Sequence, residues 1–212
     1  MDDPSSFEHN NVTLIYSKIA NHFNHTRYHT WTKIQEFVYM LPTNSTIYDI
    51  GCGNGRNMNI RDDCNFIGCD NNTDLLQIAK NKSLQCEYGD NLSLPYQDNQ
   101  ADAILSIAVI HHFSTYTRRL QALSELFRIL KPTGKGLIYV WCFEQKKFNG
   151  YSKDAMVPWH NQSDNEIVKR YYYLFNQGEL EKMINDHFKD IDILSSGTQF
   201  YNYFVIVEKN IV

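Results

Sequence analysis

The chain is expected to fold as an α/β open sheet, mostly parallel, with helices on both faces and an antiparallel hairpin at its C-terminal end. Apolar runs of strand length alternate with amphipathic stretches between Thr46 and Trp141, the pattern of strand–helix–strand units. One run, Ala101-Asp-Ala-Ile-Leu-Ser-Ile-Ala-Val-Ile110, is nearly continuous, as expected of a parallel strand buried on both faces. Glycine, carboxylate, amide and imidazole residues cluster at the C-terminal ends of these runs, where open α/β sheets bind ligands.

At 212 residues the chain is long enough for one well-filled core, so residues 1–212 are expected to form a single domain. A hydrophobic fraction of 42% with 14% aromatic residues is ordinary for a globular protein. The acidic, polar start Met1-Asp-Asp-Pro-Ser-Ser6 does not match a secretory or mitochondrial leader, and no apolar run approaches the ~18 to 20 residues of a membrane span. Cys52, Cys64, Cys69, Cys86 and Cys142 show no metal-knuckle spacing and are an odd number, so reduced core thiols and a cytoplasmic or nuclear location are expected. The net charge of −4 argues against a self-sufficient nucleic-acid binder; any basic surface must be local or borrowed.

Taken in order, residues 1–11 read as frayed, and a helix begins near Val12 with Leu14, Ile15, Ile19 and Phe23 on one face. A second helix, Trp31 to Leu41, stops at Pro42, so residues 1–44 read as an N-terminal helical arm. Between them, Arg27, Tyr28 and Trp31 could close over a ligand or pack on the domain. His22, His25 and His29 fit neither a helical zinc pair with a third ligand nor a finger, so no metal is expected. Thr46-Ile-Tyr-Asp-Ile50 is a buried strand that runs into Gly51, Gly53 and Gly55, a turn expected to open a helix. Asn65 to Asp70 is the next strand and Thr73 to Lys82 the next helix; Leu84 to Tyr88 is a third strand, ending at Gly89-Asp90-Asn91. The long apolar strand delivers His111 and His112 at its end. Ser114 to Leu130 reads as an amphipathic helix and Gly136 to Trp141 as the fifth strand. Residues 144–168 read as an irregular polar insertion with a Val157-Pro-Trp159 island and a Gln-Ser-Asp-Asn-Glu run. Val168 to Ile184 reads as a return to helix, and Asp190 to Ser196 with Asn202 to Lys209 as the closing hairpin.

The glycine turn lacks the third glycine of a dinucleotide fingerprint, since Arg56 stands there. Its Asp-x-Gly-x-Gly-x-Gly form resembles motif I of class I S-adenosylmethionine (SAM)-dependent methyltransferases, which have a Rossmann-like fold. An acid at the end of the second strand, Asp70, stands where doubly wound folds bind ribose hydroxyls. Four further stretches resemble the eukaryotic tRNA wobble-uridine carboxymethyl methyltransferases, which esterify 5-carboxymethyluridine at position 34. They are His22-Phe-Asn-His-Thr-Arg-Tyr28; Ile107-Ala-Val-Ile-His-His-Phe-Ser-Thr115 with Arg118-Arg119; Leu137-Ile-Tyr-Val-Trp141 with Glu144-Gln145; and Arg170-Tyr-Tyr-Tyr-Leu-Phe-Asn-Gln-Gly-Glu-Leu180. The sequence departs from that pattern at Phe113 and Thr133, where tryptophan and glycine are usual.

The resemblance implies that Asp49, Gly51, Gly53 and Gly55 hold the methionine part of SAM. It implies Asp70 with Asn71 at the ribose, Asp90 and Asn91 by the adenine, and backbone from Ala108. His111, His112 and Arg118 would face the acceptor, with Arg27 on either the SAM carboxylate or the substrate. A heterodimer with a small zinc-binding activator subunit is implied as well. A Leu-x-Cys-x-Tyr edge without lysine or proline is poorly defended, so the activator is expected to add a strand along Leu84 to Tyr88. Two other functions fit the same fold: methyl transfer to a small phenol or amine, and SAM binding without turnover.

Overall fold

The computed structural model describes residues 3–27, 29–160 and 167–211; Tyr28 of the arm and the whole Gln-Ser-Asp-Asn-Glu run lie outside them. The N-terminus is more ordered than its sequence suggested. Asp3 accepts a hydrogen bond from the Ser6 amide and Pro4 takes the first helical position, so α1 (Pro4–Glu8) is capped. It continues through a π-helical turn, His9–Thr13, into α2 (Leu14–Thr26). After α3 (Thr32–Tyr39) the chain enters β1 (Thr46–Ile50) and then β2 (Asn65–Asp70).

The helix expected to follow the glycine turn is absent. Gly51, Gly53, Gly55 and Asn59 all hold positive φ, at 78°, 55°, 74° and 60°. So many left-handed residues in one short segment cannot propagate a right-handed helix. The segment instead makes isolated turn bonds, Gly55 N–H to Cys52 O and Met58 N–H to Gly55 O.

From β2 the chain passes through α4 (Thr73–Asn81), whose Asn72 cap accepts from the Leu75 amide, to β3 (Cys86–Tyr88), β4 (Ala101–Ile107) and α5 (Tyr116–Ile129). Strand β5 (Leu130–Trp141) begins several residues before Gly136, and β3 is shorter than Leu84 to Tyr88. Beyond it, the presumed insertion and much of the presumed helix form one antiparallel ladder, β6 (Asp154–His160) with β7 (Ile167–Tyr173), in register Val157 to Arg170 and Trp159 to Val168. Ala155, Val157 and Trp159 are buried in strict alternation, a period of two that the surrounding polar residues had masked. Only Glu179–His187 is helical (α6), followed by the hairpin β8 (Ile191–Gln199) and β9 (Asn202–Lys209).

The main sheet has seven strands in the order β3-β2-β1-β4-β5-β9-β8, parallel from β3 through β5 and closed by the antiparallel β9 and β8. Adjacent residues feed opposite cores. Tyr48, Ile104 and Ile138 face Leu123 and Leu126 of α5 and Met183 and Ile184 of α6, whereas Ile47, Leu105 and Leu137 face Ile34 and Phe37 of α3. The strand order reverses between β1 and β4, the switch point at which a crevice opens above the C-terminal strand ends.

Candidate active site

A cavity of about 620 Å³ occupies that crevice. It is lined from below by the ends of β1, β2, β4 and β5, and on its other sides by Val12, Tyr16 and Phe23 of the N-terminal helices and by Arg170 and Tyr172 of β7.

One end is organised by the glycine turn. The Gly51 and Cys52 amides both donate to the Cys69 carbonyl, which pins the turn against β2. A Cβ on Gly51 would stand 2.3 Å from Val109, and one on Gly55 2.2 Å from Leu84, so these two glycines serve packing as well as conformation. Gly53 lines the cavity, and its amide donates to Asp70 Oδ2 at 2.7 Å, while Asp70 Oδ1 accepts from the Asn72 amide at 2.8 Å. Burial raises the Asp70 pKa, and these amide bonds oppose the rise. Asp49 lies behind the turn, fully buried, with neither carboxylate oxygen hydrogen-bonded. Burial pushes its pKa up to about 7; Arg56 offsets part of the shift and Asp70 adds to it. Asn91 also lines the cavity with its side-chain amide unpartnered. The unpartnered Asn91 amide, with Asp70 and the Gly53 backbone in the cavity wall, fits the polar ends of SAM.

How the arm fastens this end is not legible in any motif of the sequence. Asn72 Nδ2 donates to Thr13 O and Ser17 Oγ, and Asn54 Nδ2 donates to Asn24 Oδ1 and Arg27 O. The asparagines therefore tie α2 over the glycine turn.

The other end is aromatic and cationic. Ala108, with φ of 65°, ends β4 in a left-handed conformation that turns the chain into the short helical turn Ile110–His112. The polarity of the hydrogen bonds there fixes both imidazole tautomers. The Trp141 amide donates to His111 Nδ1 at 3.1 Å, so the proton of the neutral ring sits on Nε2, a buried donor without a partner. His112 Nδ1 lies 2.9 Å from the Tyr171 carbonyl and must donate; its Nε2, 3.1 Å from Tyr16 Oη, accepts. Burial lowers both histidine pKa values, His111 well below its usual range and His112 to about 3, and the nearby Arg170 charge lowers both further.

Arg170 is only 4% exposed. Its Nη1 donates to Tyr16 Oη at 2.9 Å, its Nε has no partner, and its guanidinium lies 4.5 Å over Trp159 and 5.2 Å from the Tyr172 ring centroid. No carboxylate among the described residues forms an ion pair with it. Arg27 stacks on Trp159 and Lys147 on Trp141 at the cavity wall.

Of the residues singled out in the sequence, Gly51, Gly53, Asp70, Asn71, Asn91, Ala108, His111, His112 and Arg27 line the cavity. Gly55 and Asp49 stand behind it. Asp90 is turned to the Leu92 amide. Arg118, expected to face the acceptor, lies outside the cavity because Glu8 holds its Nη2 at 2.7 Å and its Nε at 2.9 and 3.0 Å. Arg170 supplies the buried cation instead. In the sequence Arg170 stands out only through the resemblance of its segment, whose pattern also suits a helix.

Residues 48–138 match the family model described as a methyltransferase domain. Solved structures show the same fold. A SAM-dependent methyltransferase from Methanosarcina mazei aligns over 86% of this chain and 99% of its own, with 17% identity and a TM-score of 0.70. A methyltransferase of Haloferax volcanii, determined in complex with the Trm112 methyltransferase activator, aligns over 93% and 96%, with 15% identity and a TM-score of 0.70. Among characterised sequences, the tRNA (carboxymethyluridine(34)-5-O)-methyltransferase of Schizosaccharomyces pombe is 38% identical over 96% of this chain and 98% of its own length. The Arabidopsis thaliana protein of the same name is 44% identical over 64% of this chain and 33% of its own. The Xenopus tropicalis one is 33% identical over 97% of this chain, which spans 42% of that longer protein. With glycine turn, strand-end carboxylate and histidine pair all at one cavity, and near-complete alignment to the fission-yeast protein, the chain belongs to the tRNA (carboxymethyluridine(34)-5-O)-methyltransferase family.

Proposed function

We propose that the chain transfers a methyl group from SAM to the carboxylate of 5-carboxymethyluridine at wobble position 34 of tRNA, forming the methyl ester. The observation that carries this reading is the hydrogen-bond polarity of the histidine pair. The Nδ1 lone pair of His111 is taken by a backbone amide and the Nε2 lone pair of His112 by Tyr16, so neither ring presents an acceptor to the cavity. A phenol or amine acceptor would need a general base, whereas a carboxylate is already ionised at neutral pH.

When bound, SAM supplies an electrophilic methyl group on a sulfonium that departs as a neutral thioether. Gly53, Asp70, Asn71, Asn91 and Ala108 would hold it, with Asp49 and Gly55 supporting the turn from behind. Arg170 and the His111 Nε2–H would orient the acceptor carboxylate for in-line attack. Among the described residues Arg170 is held by aromatic faces and a phenol rather than by a carboxylate, so its charge is available to an incoming anion. A SAM-binding scaffold without turnover would gain nothing from a buried cation with no carboxylate partner among the described residues, which is costly to keep.

Incubating hypomodified tRNA with the protein and SAM, then analysing its nucleosides by mass, should show the acid replaced by its methyl ester. Methylation of small phenols or amines with tRNA left unchanged would overturn the reading.

The proposal extends to an activator subunit of the zinc-binding type, docked by strand addition on the outer edge of β3. Support comes from that edge, unpaired beyond β2 with Tyr88 61% exposed, and from the activator bound to the Haloferax neighbour. Produced alone, the chain should aggregate or bind SAM poorly; a soluble, fully active lone chain would count against an obligate partner. The work would be done in the cytoplasm or nucleus.

A further inference from the structure

The turn joining β8 to β9 consists of Phe200 and Tyr201 between the paired residues Gln199 and Asn202. Both have positive φ, 48° and 61°. Two-residue hairpin turns of this kind strongly favour Asn-Gly, because a side chain in the left-handed region is strained. Here the two positions carry bulky aromatic rings, 61% and 70% exposed, which line the mouth of the active-site cavity.

The turn is fastened firmly in this strained form. The Cys142 amide and Gln145 Nε2 both donate to the Tyr201 carbonyl, at 3.2 and 2.9 Å. Asn202 Nδ2 donates to the Phe200 carbonyl at 2.8 Å, and Tyr139 Oη donates to Gln199 Oε1 at 2.8 Å. Phe200 also lies 6.3 Å from Trp31, over which the Arg56 guanidinium sits at 5.0 Å. Exposed aromatics thus project from a rigid, locally strained base at the entrance to the site.

We propose that Phe200 and Tyr201 form a stacking platform for the nucleobase next to the wobble uridine in the anticodon loop; this rests on the tRNA reading above. For its carboxylate to reach Arg170 and His111, the uridine must leave the base stack, which uncovers one face of its neighbour. An aromatic ring at the cavity mouth replaces the lost stacking partner and tolerates any base, since every base has a π-face. Arg27, Arg56 and Lys147 around the same cavity complement the phosphates of a strand entering there.

The test uses the full chain and an anticodon stem-loop containing 5-carboxymethyluridine, with 2-aminopurine on its 3′ or 5′ side. Wild-type protein should quench that fluorescence on binding in at least one position. The double substitution Phe200→Asn with Tyr201→Gly suits the turn while removing both rings. It should melt about 4 °C higher, abolish the quench and raise KM for the stem-loop about tenfold. Replacing the quenched base by an abasic site should raise KM similarly for wild type and not further for the variant. An unchanged quench and KM in the variant, or no quench with wild-type protein in either position, would overturn the platform. A ring-dependent quench without methylation of the stem-loop would instead overturn the reaction assignment and leave the platform standing.

Discussion

The two ends of the cavity are built in opposite ways. At the cofactor end, backbone amides and left-handed glycines do most of the work: Asp70 grips the Gly53 and Asn72 amides, and Gly51 and Cys52 grip the Cys69 carbonyl. At the acceptor end, side chains from distant segments hold one another: Tyr16 receives a hydrogen bond from Arg170 and gives one to His112, with Tyr172 3.3 Å away. The first arrangement can be specified by a few neighbouring residues. The second exists only when the N-terminal helix, the turn after β4 and the added hairpin have all docked. A substitution at the acceptor end should therefore disturb its whole network, and one at the cofactor end should act locally.

The strongest test of that division is Arg170. Arg170→Met keeps much of the apolar stem between Trp159 and Tyr172 but removes the charge and the hydrogen bond to Tyr16. Its kcat/KM for tRNA should fall about 10²- to 10³-fold, the range found when a donor to reacting charge is removed, with SAM affinity within twofold of wild type. Calorimetry showing an equal loss in SAM affinity would merge the two ends into one site. At the other end, Asp70→Ala removes a charged acceptor and frees the Gly53 amide. SAM affinity should fall by about tenfold or more, corresponding to roughly 1.5 to 3 kcal/mol. A folded variant with unchanged affinity would refute the assignment of Asp70.

The two ends also have opposite proton linkages. Asp49, with its pKa raised to about 7, contributes stability that is present below its unfolded value near 4 and is lost as pH rises through 7. Asp70, shifted in the same direction, acts with the same sign. His112, lowered to about 3, contributes stability that is present above its unfolded value near 6.5 and is lost as pH falls towards 3; His111 acts likewise. Between about pH 4 and 6.5 the contributions oppose each other in the ligand-free chain. Asp49→Asn removes part of the carboxylate side of that balance and leaves Asp70. Its melting temperature should climb more steeply from pH 4.5 to 6.5 than that of wild type, by an amount on the order of 1.4 kcal/mol per pH unit at most, or about 3 to 6 °C per unit. Parallel curves for the two proteins would show that Asp49 titrates normally.

The same division decided what could be read from the sequence. The glycine turn, Asp70 and the histidine pair follow from strand periodicity, because a parallel sheet delivers every strand end to one edge. The absence of a helix after Gly55 depends on Asn59 joining the glycines in the left-handed region, and composition alone does not distinguish that asparagine from a helical one. The β6–β7 ladder was concealed because Arg170-Tyr-Tyr-Tyr also suits a helix; only the alternation of Ala155, Val157 and Trp159 pointed to a strand. A helical reading of that segment does not bring Arg170 to Tyr16 and His112, and the resemblance points instead to Arg118, whose charge Glu8 neutralises.

The finest test lies within the acceptor network, where a near-absence of effect is expected. If the acceptor is a carboxylate, the single-turnover rate should show no ascending limb between pH 6 and 9, because the nucleophile is ionised throughout and His112, with its pKa near 3, stays neutral. Glutamine can replace the neutral ring: its amide N–H can donate to the Tyr171 carbonyl and its oxygen can accept from Tyr16, the two roles fixed for Nδ1 and Nε2. His112→Gln should accordingly stay within about tenfold of wild type, the cost of one or two imperfect neutral hydrogen bonds, while His112→Ala should lose more by freeing Tyr16 and unseating Arg170. If His112 were a general base, both variants would lose the ~10²- to 10⁴-fold typical of that role, and the wild-type rate would rise about tenfold per pH unit below its pKa. Single-turnover conditions are needed because product release can hide the chemical step. A steep rise from pH 6 to 7 that disappears in His112→Gln would mean that the lone pair held by Tyr16 is released during catalysis, and the acceptor would then have to be a group that arrives protonated.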